Sequence, residues 1–356
     1  MRIAVTGTAL LCSAGLGAEP AFDAMLEGVP GPAGPIPGFD PGPYLGKRGI
    51  RHHDRTALVL ASAATAAIDS SKLLEGHYAP DEIGIVVGAT HGSIQSITDF
   101  DQEALREGPR FVNPQAFSNT VINAPAGRLA IRFGVTGLNT TLSSGSASAL
   151  DAVAYAMALL QGGQIRAVLC ASALGYSSEV ELGYRRAGIL GGAAHAEAPF
   201  SAKRRGAALG EGAAVLILER ASAAAGRGAP PLAHIDGAVS AFGPASEVGA
   251  SQAALVAAMR GALAQAGLSV GELSFVASAA SGSVAGDARE AGALRELLGD
   301  DRRRVAVTAP KSATRECLEA SGAIGLVAAV GATRPAASRL LPGSPTWMTA
   351  RRGSTS

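Results

Sequence analysis

The feature that most constrains this chain is an alternation of short apolar runs with longer segments rich in small residues. Runs such as RIAVTGTAL, EIGIVVGAT, AVLCASAL and AAVLILER lack a polar residue at every second position, which is typical of strands covered on both faces. Between such runs lie segments such as RTALVLASAATAAIDSSKLL, whose small-residue face suits close helix packing. The sequence therefore predicts an α/β fold with mostly parallel strands between layers of helices.

The expected elements follow one another along the whole chain. Strands are expected at 2–10, 82–90, 137–144, 167–174, 213–220, 232–241, 274–281 and 304–310. Helices are expected at 55–74, 124–134, 147–163, 251–267, 286–299 and about 320–330, and Gly134 is expected to cap the second of these in the left-handed conformation. Residues 30–43 are rich in proline and glycine and are expected to form a loop. The turn-forming residues 221–231 suggest a boundary, so we expect two similar α/β halves, 1–230 and 231–356.

Composition excludes several classes of function. The formal net charge is +1 and there is no long basic run, so we expect neither nucleic acid nor a membrane as partner. No apolar stretch reaches the roughly 18 residues of a membrane span, and Thr6–Thr8 interrupt the N-terminal apolar run that a secretion signal would need. The three cysteines lack metal-binding spacing and an odd number does not suit a disulfide framework. These features indicate a cytoplasmic protein without a metal or other cofactor.

One stretch has the form of a catalytic turn. Residues 141–150, TLSSGSASAL, place small residues around a hydroxyl where a strand gives way to a helix. Nucleophiles occupy turns of this kind in several enzyme folds. The stretch alone does not say whether Ser146 acts as a nucleophile or merely occupies the position of one.

Several longer stretches carry a family resemblance. They are RIAVTGTALLCSAGLG, FDPGPYLGKRGIRHHDRTALVLASAATAAIDSS, GRLAIRFGVTGLNTTLSSGSASALDAVAYAMALLQGG, PFSAKRRGAALGEGAAVLILERASAAAGRGA, GDAREAGALRELLG and APKSATRECLEASGAIG. In order and spacing they resemble the condensing enzymes of the β-ketoacyl synthase family, which have the thiolase fold. The resemblance spans nearly the whole chain and implies that fold here.

The resemblance also implies where the family's Cys–His–His chemistry would lie. The family's cysteine carries the acyl chain, and its two histidines stabilise the enolate that forms when a malonyl unit loses carbon dioxide. This chain has Ser146 at the cysteine, Ala279 at the first histidine and Glu316 at the second, which the family places in Lys-Ser-x-x-Gly-His. Lys311 of that last motif is retained.

These substitutions remove the groups on which condensation depends. A serine hydroxyl needs a positioned general base, and a carboxylate beside an enolate would destabilise it. Loss of one oxyanion donor typically costs about 10²–10³ in rate. The family's Gly-Phe-Gly-Gly loop is also missing from the shortened stretch 335–352, where Pro342 and Pro345 lack N–H groups. We therefore expect no independent condensing activity.

Four other titratable residues have two possible roles, structural or functional. His91 follows an expected strand in a turn of small residues and is either a hydrogen-bonded structural histidine or a substitute base. Asp287 and Glu290 match family positions at a helix N-terminus, where they are expected to cap and anchor the helix. Glu211 in LGEGAA is expected to be structural as well.

A condensing fold without its chemistry is similar to a chain-length factor, the inactive partner of a catalytic ketosynthase in type II polyketide systems. That resemblance implies a heterodimer with a ketosynthase, in which the strand at 137–144 pairs across the two-fold axis. It also implies contact with an acyl carrier protein and with the growing acyl chain. FVNPQAFSNTVINAPAG (111–127) resembles ketosynthase-like proteins of polyene pathways more than those of aromatic polyketides.

The same resemblance places the acyl-chain tunnel along residues 110–127. Phe117, Thr120, Val121 and Ala124 are the expected lining residues, and small side chains there would admit a long or rigid product. The alternative is that these four are ordinary interface residues. The alternative function is a serine-dependent acyltransferase or priming ketosynthase that uses Ser146 with a base that the sequence does not reveal.

Overall fold

The computed structural model describes residues 2–191, 198–244 and 246–333. Its strands are β1 (Ile3–Cys12), β2 (Gly15–Leu16), β3 (Ile83–Gly88), β4 (Asn139–Leu142), β5 (Ala167–Leu174), β6 (Gly212–Arg220), β7 (Ala233–Ile235), β8 (Phe275–Ala277) and β9 (Ala306–Thr308). Its helices are α1 (Ala18–Glu27), α2 (Gly42–Leu45), α3 (Arg55–Ser71), α4 (Ile94–Glu107), α5 (Pro114–Phe117), α6 (Ala124–Phe133), α7 (Ser148–Gly162), α8 (Ser178–Arg186), α9 (Ala221–Gly226), α10 (Val248–Ala266), α11 (Val284–Leu298), α12 (Lys311–Thr314) and α13 (Ser321–Ala332). Within these ranges, no helix combines the length and the apolar character that crossing a membrane requires.

The larger sheet has the order β2-β1-β6-β5-β3-β4, and β7 pairs with β1 beside this path. Its long strands β1, β3, β4 and β5 run in one direction, as the prediction of mostly parallel strands requires. The prediction is wrong for β6, which is reversed and pairs antiparallel with both β1 and β5. Its apolar run, AVLILE, is buried like the others, so hydrophobic pattern alone does not reveal its direction.

Helices cover both faces of this sheet, which confirms the α/β class. One face packs against α7 and α13 and the other against α3 and α6. The core has two clusters, one on each side, made mainly of Ala, Val, Leu and Ile. Gly134 ends α6 with φ 64°, which confirms the expected left-handed cap.

A smaller sheet of two parallel strands, β8 and β9, lies in the C-terminal region with α10 and α11. The strand expected at 232–241 is limited to β7, which pairs with β1 of the larger sheet. In the described residues the two regions therefore differ in the size of their sheets. Residues that follow β7 and β8 are small or turn-forming, which leaves little apolar surface to extend the strands.

The expected boundary at 221–231 is a packed corner. It forms the short helix α9, after which Arg227 reaches the buried carboxylate of Glu219 at 2.6 and 2.8 Å. Tyr78 donates to the same carboxylate at 2.5 Å, and Thr6 also bonds to it. A fully buried charge of this kind is stable only when it is paired, so this cluster ties β1, β6 and α9 together.

Candidate functional site at the strand ends

Residues 144–148 form a tight turn at the place where the family resemblance implies a nucleophile. Gly145 has φ 63°, and Ser148 Oγ accepts the Ser144 N–H at 2.8 Å and donates to the Gly145 carbonyl at 2.7 Å. Thr90, just after β3, lies 2.8 Å from Ser148 Oγ through its own hydroxyl. A Cβ at Gly88 would lie 2.5 Å from the Ser148 backbone, so only glycine lets β3 approach the start of α7.

Ser146 lies at the tip of this turn and is exposed in the single chain. Its hydroxyl has no hydrogen-bond partner among the described residues. A serine nucleophile needs a base within hydrogen-bond reach to take its proton. The described residues offer Ser146 no such base.

His91, the candidate substitute base, has both ring nitrogens engaged elsewhere. Its Nδ1 lies 2.7 Å from Glu319 Oε2, and its Nε2 lies 3.1 Å from the Tyr184 hydroxyl. Glu319 also accepts the backbone N–H groups of His91 and Thr90, at 3.0 and 3.2 Å. These bonds agree with the structural alternative for His91.

The electrostatics of this group favour an anionic Glu319 and a neutral phenol. Burial acts to raise the pKa of the Glu319 carboxyl, but hydrogen bonds and charge from His91 outweigh it and hold the pKa below its usual value. Burial and the negative charges of Glu319 and Glu316 raise the pKa of Tyr184. Tyr184 therefore keeps its phenolic proton, and its hydroxyl lies 3.1 Å from His91 Nε2.

Glu319 was not anticipated from the sequence. Its signal is the second acidic residue of ECLEA, three residues after Glu316. Glu316 lies before the short turn Leu318–Ala320 that carries Glu319, so the spacing does not by itself place the two carboxylates together. The partner that gives Glu319 its role, His91, is 228 residues away, so spacing alone could not assign it.

Glu316, at the family's second histidine, is also fully engaged. Lys311 Nζ lies 2.8 Å from its Oε2, while its Oε1 accepts the Leu318 N–H at 2.9 Å and the Ser321 hydroxyl at 2.8 Å. Arg315 occupies the glycine position of the family motif with φ 67° and ψ −176°, a conformation that normally requires glycine. Glu316 is therefore a carboxylate paired with a lysine at the position where the family resemblance implies an imidazole.

Ala279, at the family's first histidine, has no side-chain polar atom and is exposed. Its N–H donates to Glu290 at 2.9 Å, and burial raises the pKa of that carboxyl. Asp287 accepts the N–H groups of Ser281 and Phe200 at 3.0 and 2.8 Å, which joins α11 to the loop before β6. Both acidic residues thus anchor the helix as expected, but the expected capping role is wrong, because Ser283 Oγ caps the helix by accepting the Gly286 N–H.

Glu211 is buried, and both of its carboxylate oxygens accept hydrogen bonds from the protein. Arg55 binds its two oxygens at 2.6 and 2.7 Å, and the N–H groups of Ile36 and Tyr176 donate to it at 2.8 and 2.9 Å. Every contact is to the protein's own framework, which agrees with the structural role expected of Glu211.

None of the three cysteines supplies the missing thiolate. All are free and buried, and burial raises the pKa of Cys12 to about 11, that of Cys170 to about 12 and that of Cys317 well above its usual value. The described residues therefore contain no ionised thiol that could carry an acyl group. The stretch 335–352, where the family's oxyanion loop would lie, is outside the described residues.

The four expected tunnel residues lie on the turns between α5 and the start of α6. Phe117 and Val121 are 59% and 43% exposed in the single chain, and Thr120 and Ala124 are half-buried. Nearby, β4 is the last strand of the larger sheet, and its outer side has no partner strand among the described residues. An apolar surface beside an open sheet edge has the composition of a subunit interface.

Two solved structures match this fold closely. One, "The ishigamide ketosynthase/chain length factor", superposes with a TM-score of 0.83 at 24% identity, covering 92% of this chain and 85% of that one. The other, a type II polyketide synthase acyl-carrier protein in complex with its ketosynthase bound to the hexaketide, gives a TM-score of 0.78 at 20% identity, with the same coverage. Both matches confirm the expected thiolase fold.

Sequence comparison extends the match from fold to family. Residues 39–224 match the model of the beta-ketoacyl synthase N-terminal domain, and residues 232–337 match that of the C-terminal domain. The chain is also 32% identical to a Streptomyces cyaneus protein named "Putative polyketide beta-ketoacyl synthase 2", over 87% of this chain and 79% of that protein. Together with the turn at Ser146 and the Lys311 motif, these matches show that the chain belongs to the beta-ketoacyl synthase family.

Proposed function

We propose that this chain is a non-catalytic ketosynthase-like subunit, a chain-length factor, that pairs with an active ketosynthase in type II polyketide biosynthesis. The observation that carries the proposal is the state of the family's pocket. Ser146 has no base among the described residues, Ala279 offers no imidazole, and Glu316 is held by Lys311. Such a pocket can neither activate a nucleophile nor stabilise an enolate.

The pocket's charge argues against decarboxylation in particular. The carboxylates of Glu316 and Glu319 both act to raise the pKa of Tyr184. An enolate forming beside them would meet two carboxylates, one paired with Lys311 and the other with His91. Imidazole N–H donors stabilise a developing enolate, whereas carboxylates repel it and so oppose decarboxylation here.

The exposed surface around β4 has the features of a contact with a second protein chain. The outer side of β4 has no partner strand within the described ranges, and Phe111, Phe117 and Val121 are 71%, 59% and 43% exposed in the single chain. Pairing of β4 with the matching strand of a ketosynthase would cover the edge and the apolar side chains at once. The structure named for a ketosynthase and chain length factor supports that choice of partner.

We further propose that Phe117, Thr120, Val121 and Ala124 line the acyl-chain tunnel at that interface. Phe117 and Val121 are exposed in the single chain and Thr120 and Ala124 are half-buried, so they are available to a partner or to a substrate. The carrier protein that delivers the chain is proposed by analogy with the ketosynthase complex that contains one. The division into halves at residue 230 is supported by the ranges of the two family domains.

The experiment is co-expression with a β-ketoacyl synthase of the same genome that keeps its cysteine and both histidines. We expect Ser146→Ala to leave product formation within about twofold, because Ser146 takes part in no step. Replacing the partner's cysteine by alanine is the matched control and should abolish the product. Mass spectrometry of this purified chain, incubated with acyl carrier thioesters, should show no acyl adduct. An adduct lost in Ser146→Ala, together with a lost product, would establish the serine-dependent acyltransferase instead.

A further inference from the structure

Residues 110–123, called the tunnel segment below, are weakly attached to the rest of the molecule. The described backbone hydrogen bonds of the segment are local, such as Ala116 N–H to Asn113 and Thr120 N–H to Phe117, both at 3.0 Å. No side chain of the segment is buried. Neither backbone pairing nor a hydrophobic core therefore fixes its position. Ile122 approaches Gly92 closely, where a Cβ would lie 3.0 Å from Ile122 Cα, and side-chain hydrogen bonds hold the rest of the segment.

One side chain outside the segment supplies most of those contacts. Arg128 lies on α6, and its Nη2 is 3.2 Å from Ser118 Oγ and 3.1 Å from the His52 carbonyl. The same nitrogen also donates to the side-chain oxygen of Asn119. Asn119 in turn donates from its amide to the His52 carbonyl at 2.9 Å. Arg128 thus joins the tunnel segment to the loop that precedes α3.

The other described contacts of the segment are weaker. Asn113 N–H reaches Glu103 at 3.4 Å, and the rings of Phe117 and Phe100 meet at 5.9 Å between exposed or half-buried side chains. Bonds from a guanidinium are charge-assisted and roughly twice as strong as neutral ones. Arg128 is therefore the strongest described polar anchor of the tunnel segment.

We infer that Arg128 is a positioning residue that sets where the tunnel segment lies and so determines the length of the product. The inference rests on the proposed function for its second half, because Phe117, Thr120 and Val121 belong to the anchored segment. Arg128 binds Ser118 and Asn119, which lie between Phe117 and Thr120 in sequence. A shift of these turns would move the three side chains together.

The same helix offers a matched control. Arg132 lies one turn further along α6 and donates to the carbonyls of Tyr44 and Leu45 at 3.4 and 3.3 Å, away from the tunnel segment. Replacing either arginine by methionine keeps the aliphatic stem and removes the donors. A difference between the two variants therefore reports on the contacts of Arg128 and not on a lost surface charge.

The first measurement is hydrogen exchange on the complex with its ketosynthase. We expect Arg128→Met to raise exchange of amides 111–123 by about tenfold or more, as loss of a charge-assisted hydrogen bond would, while Arg132→Met leaves them unchanged. All three contacts come from one nitrogen, so Arg128→Lys should restore part of the protection. Equal exchange in Arg128→Met and the parent complex would overturn the inference. If Arg128→Met does not fold, Arg128→Lys and Arg128→Gln are compared in the same way.

The second measurement is the distribution of product lengths, with Thr120→Phe as the test of the tunnel itself. We expect Arg128→Met to broaden the distribution, Arg132→Met to leave it unchanged and Thr120→Phe to shorten the product. If Thr120→Phe shortens the product but Arg128→Met leaves it unchanged, only the role of Arg128 in product length is overturned. An unchanged product with Thr120→Phe would instead contradict the proposed tunnel, while the exchange result would still decide whether Arg128 positions the segment.

Discussion

The pocket at the strand ends and the tunnel segment have opposite physical characters. In the pocket, Glu316 and Glu319 are buried and each accepts several short hydrogen bonds. In the tunnel segment, Phe117 and Val121 are exposed and the backbone bonds are local. A working active site would keep its polar groups available for substrate, whereas this pocket uses them to bind one another. The contrast agrees with the proposal that the buried acidic residues serve stability and that the functional surface is the proposed interface.

Replacing Glu319 is expected to have the largest effect on stability, and it tests whether the buried acidic residues stabilise the fold. Glu319→Ala leaves His91 Nδ1 and two backbone N–H groups without their acceptor in a buried site. We expect the free energy of unfolding to fall by about 3–5 kcal/mol, measured by chemical denaturation of the purified chain. As a control, Glu75→Ala removes an exposed ion pair with Lys72 and should cost less than about 1 kcal/mol. A loss at Glu319 no larger than at Glu75 would show that the buried acidic residues are not a stabilising network.

Backbone strain at Arg315 sharpens the same contrast. Its φ of 67° and ψ of −176° suit glycine, and its Nε donates to the Gly31 carbonyl at 2.6 Å. Arg315→Gly and Arg315→Ala both remove that bond, but only glycine also relieves the strain. We expect the glycine variant to be more stable than the alanine variant by about 1–3 kcal/mol in denaturant unfolding. Equal stabilities would mean that residue 315 does not hold this conformation in solution.

Replacing Phe117 in the tunnel segment is expected to have the smallest effect on stability. Its expected effect is on the affinity for the proposed ketosynthase. Phe117→Ala should change the free energy of unfolding of the lone chain by less than about 0.5 kcal/mol, because the ring is already 59% exposed. The Kd for the ketosynthase partner should rise about tenfold, measured by titration calorimetry. Phe242→Ala, a change at a ring that is 92% exposed and outside the segment, is the control and should alter neither quantity. A Kd unaffected by Phe117→Ala would place the interface elsewhere.

Much of the fold was predictable because it depends on local pattern. The runs that became β1, β3, β5 and β6 are buried at every position except Arg220, so their sequences are mainly apolar, with Glu219 as the charged exception among the buried positions. The direction of β6 was not predictable, since it depends on connections and not on composition. The helix α4 was missed because it buries none of its residues, which leaves a largely polar sequence without a wide apolar face.

The candidate site, like the fold, was predictable only in part. Ser146, Ala279 and Glu316 could be proposed from their positions in motifs, since each motif is continuous in sequence. The partnership of His91 with Glu319 could not, because it joins residues 228 positions apart. Nor does the sequence distinguish Arg128 from Arg132 on α6, since what separates them is the carbonyls and side chains that each reaches.

The outer side of β4, which is unpaired in the described part of the chain, has a consequence for the lone protein. Unsatisfied N–H and C=O groups along such an edge can pair with another extended strand, so surplus copies have a route to self-assembly. If the proposed ketosynthase covers this edge, the chain stays dispersed only when its synthesis keeps pace with that of the ketosynthase or when the excess is degraded promptly.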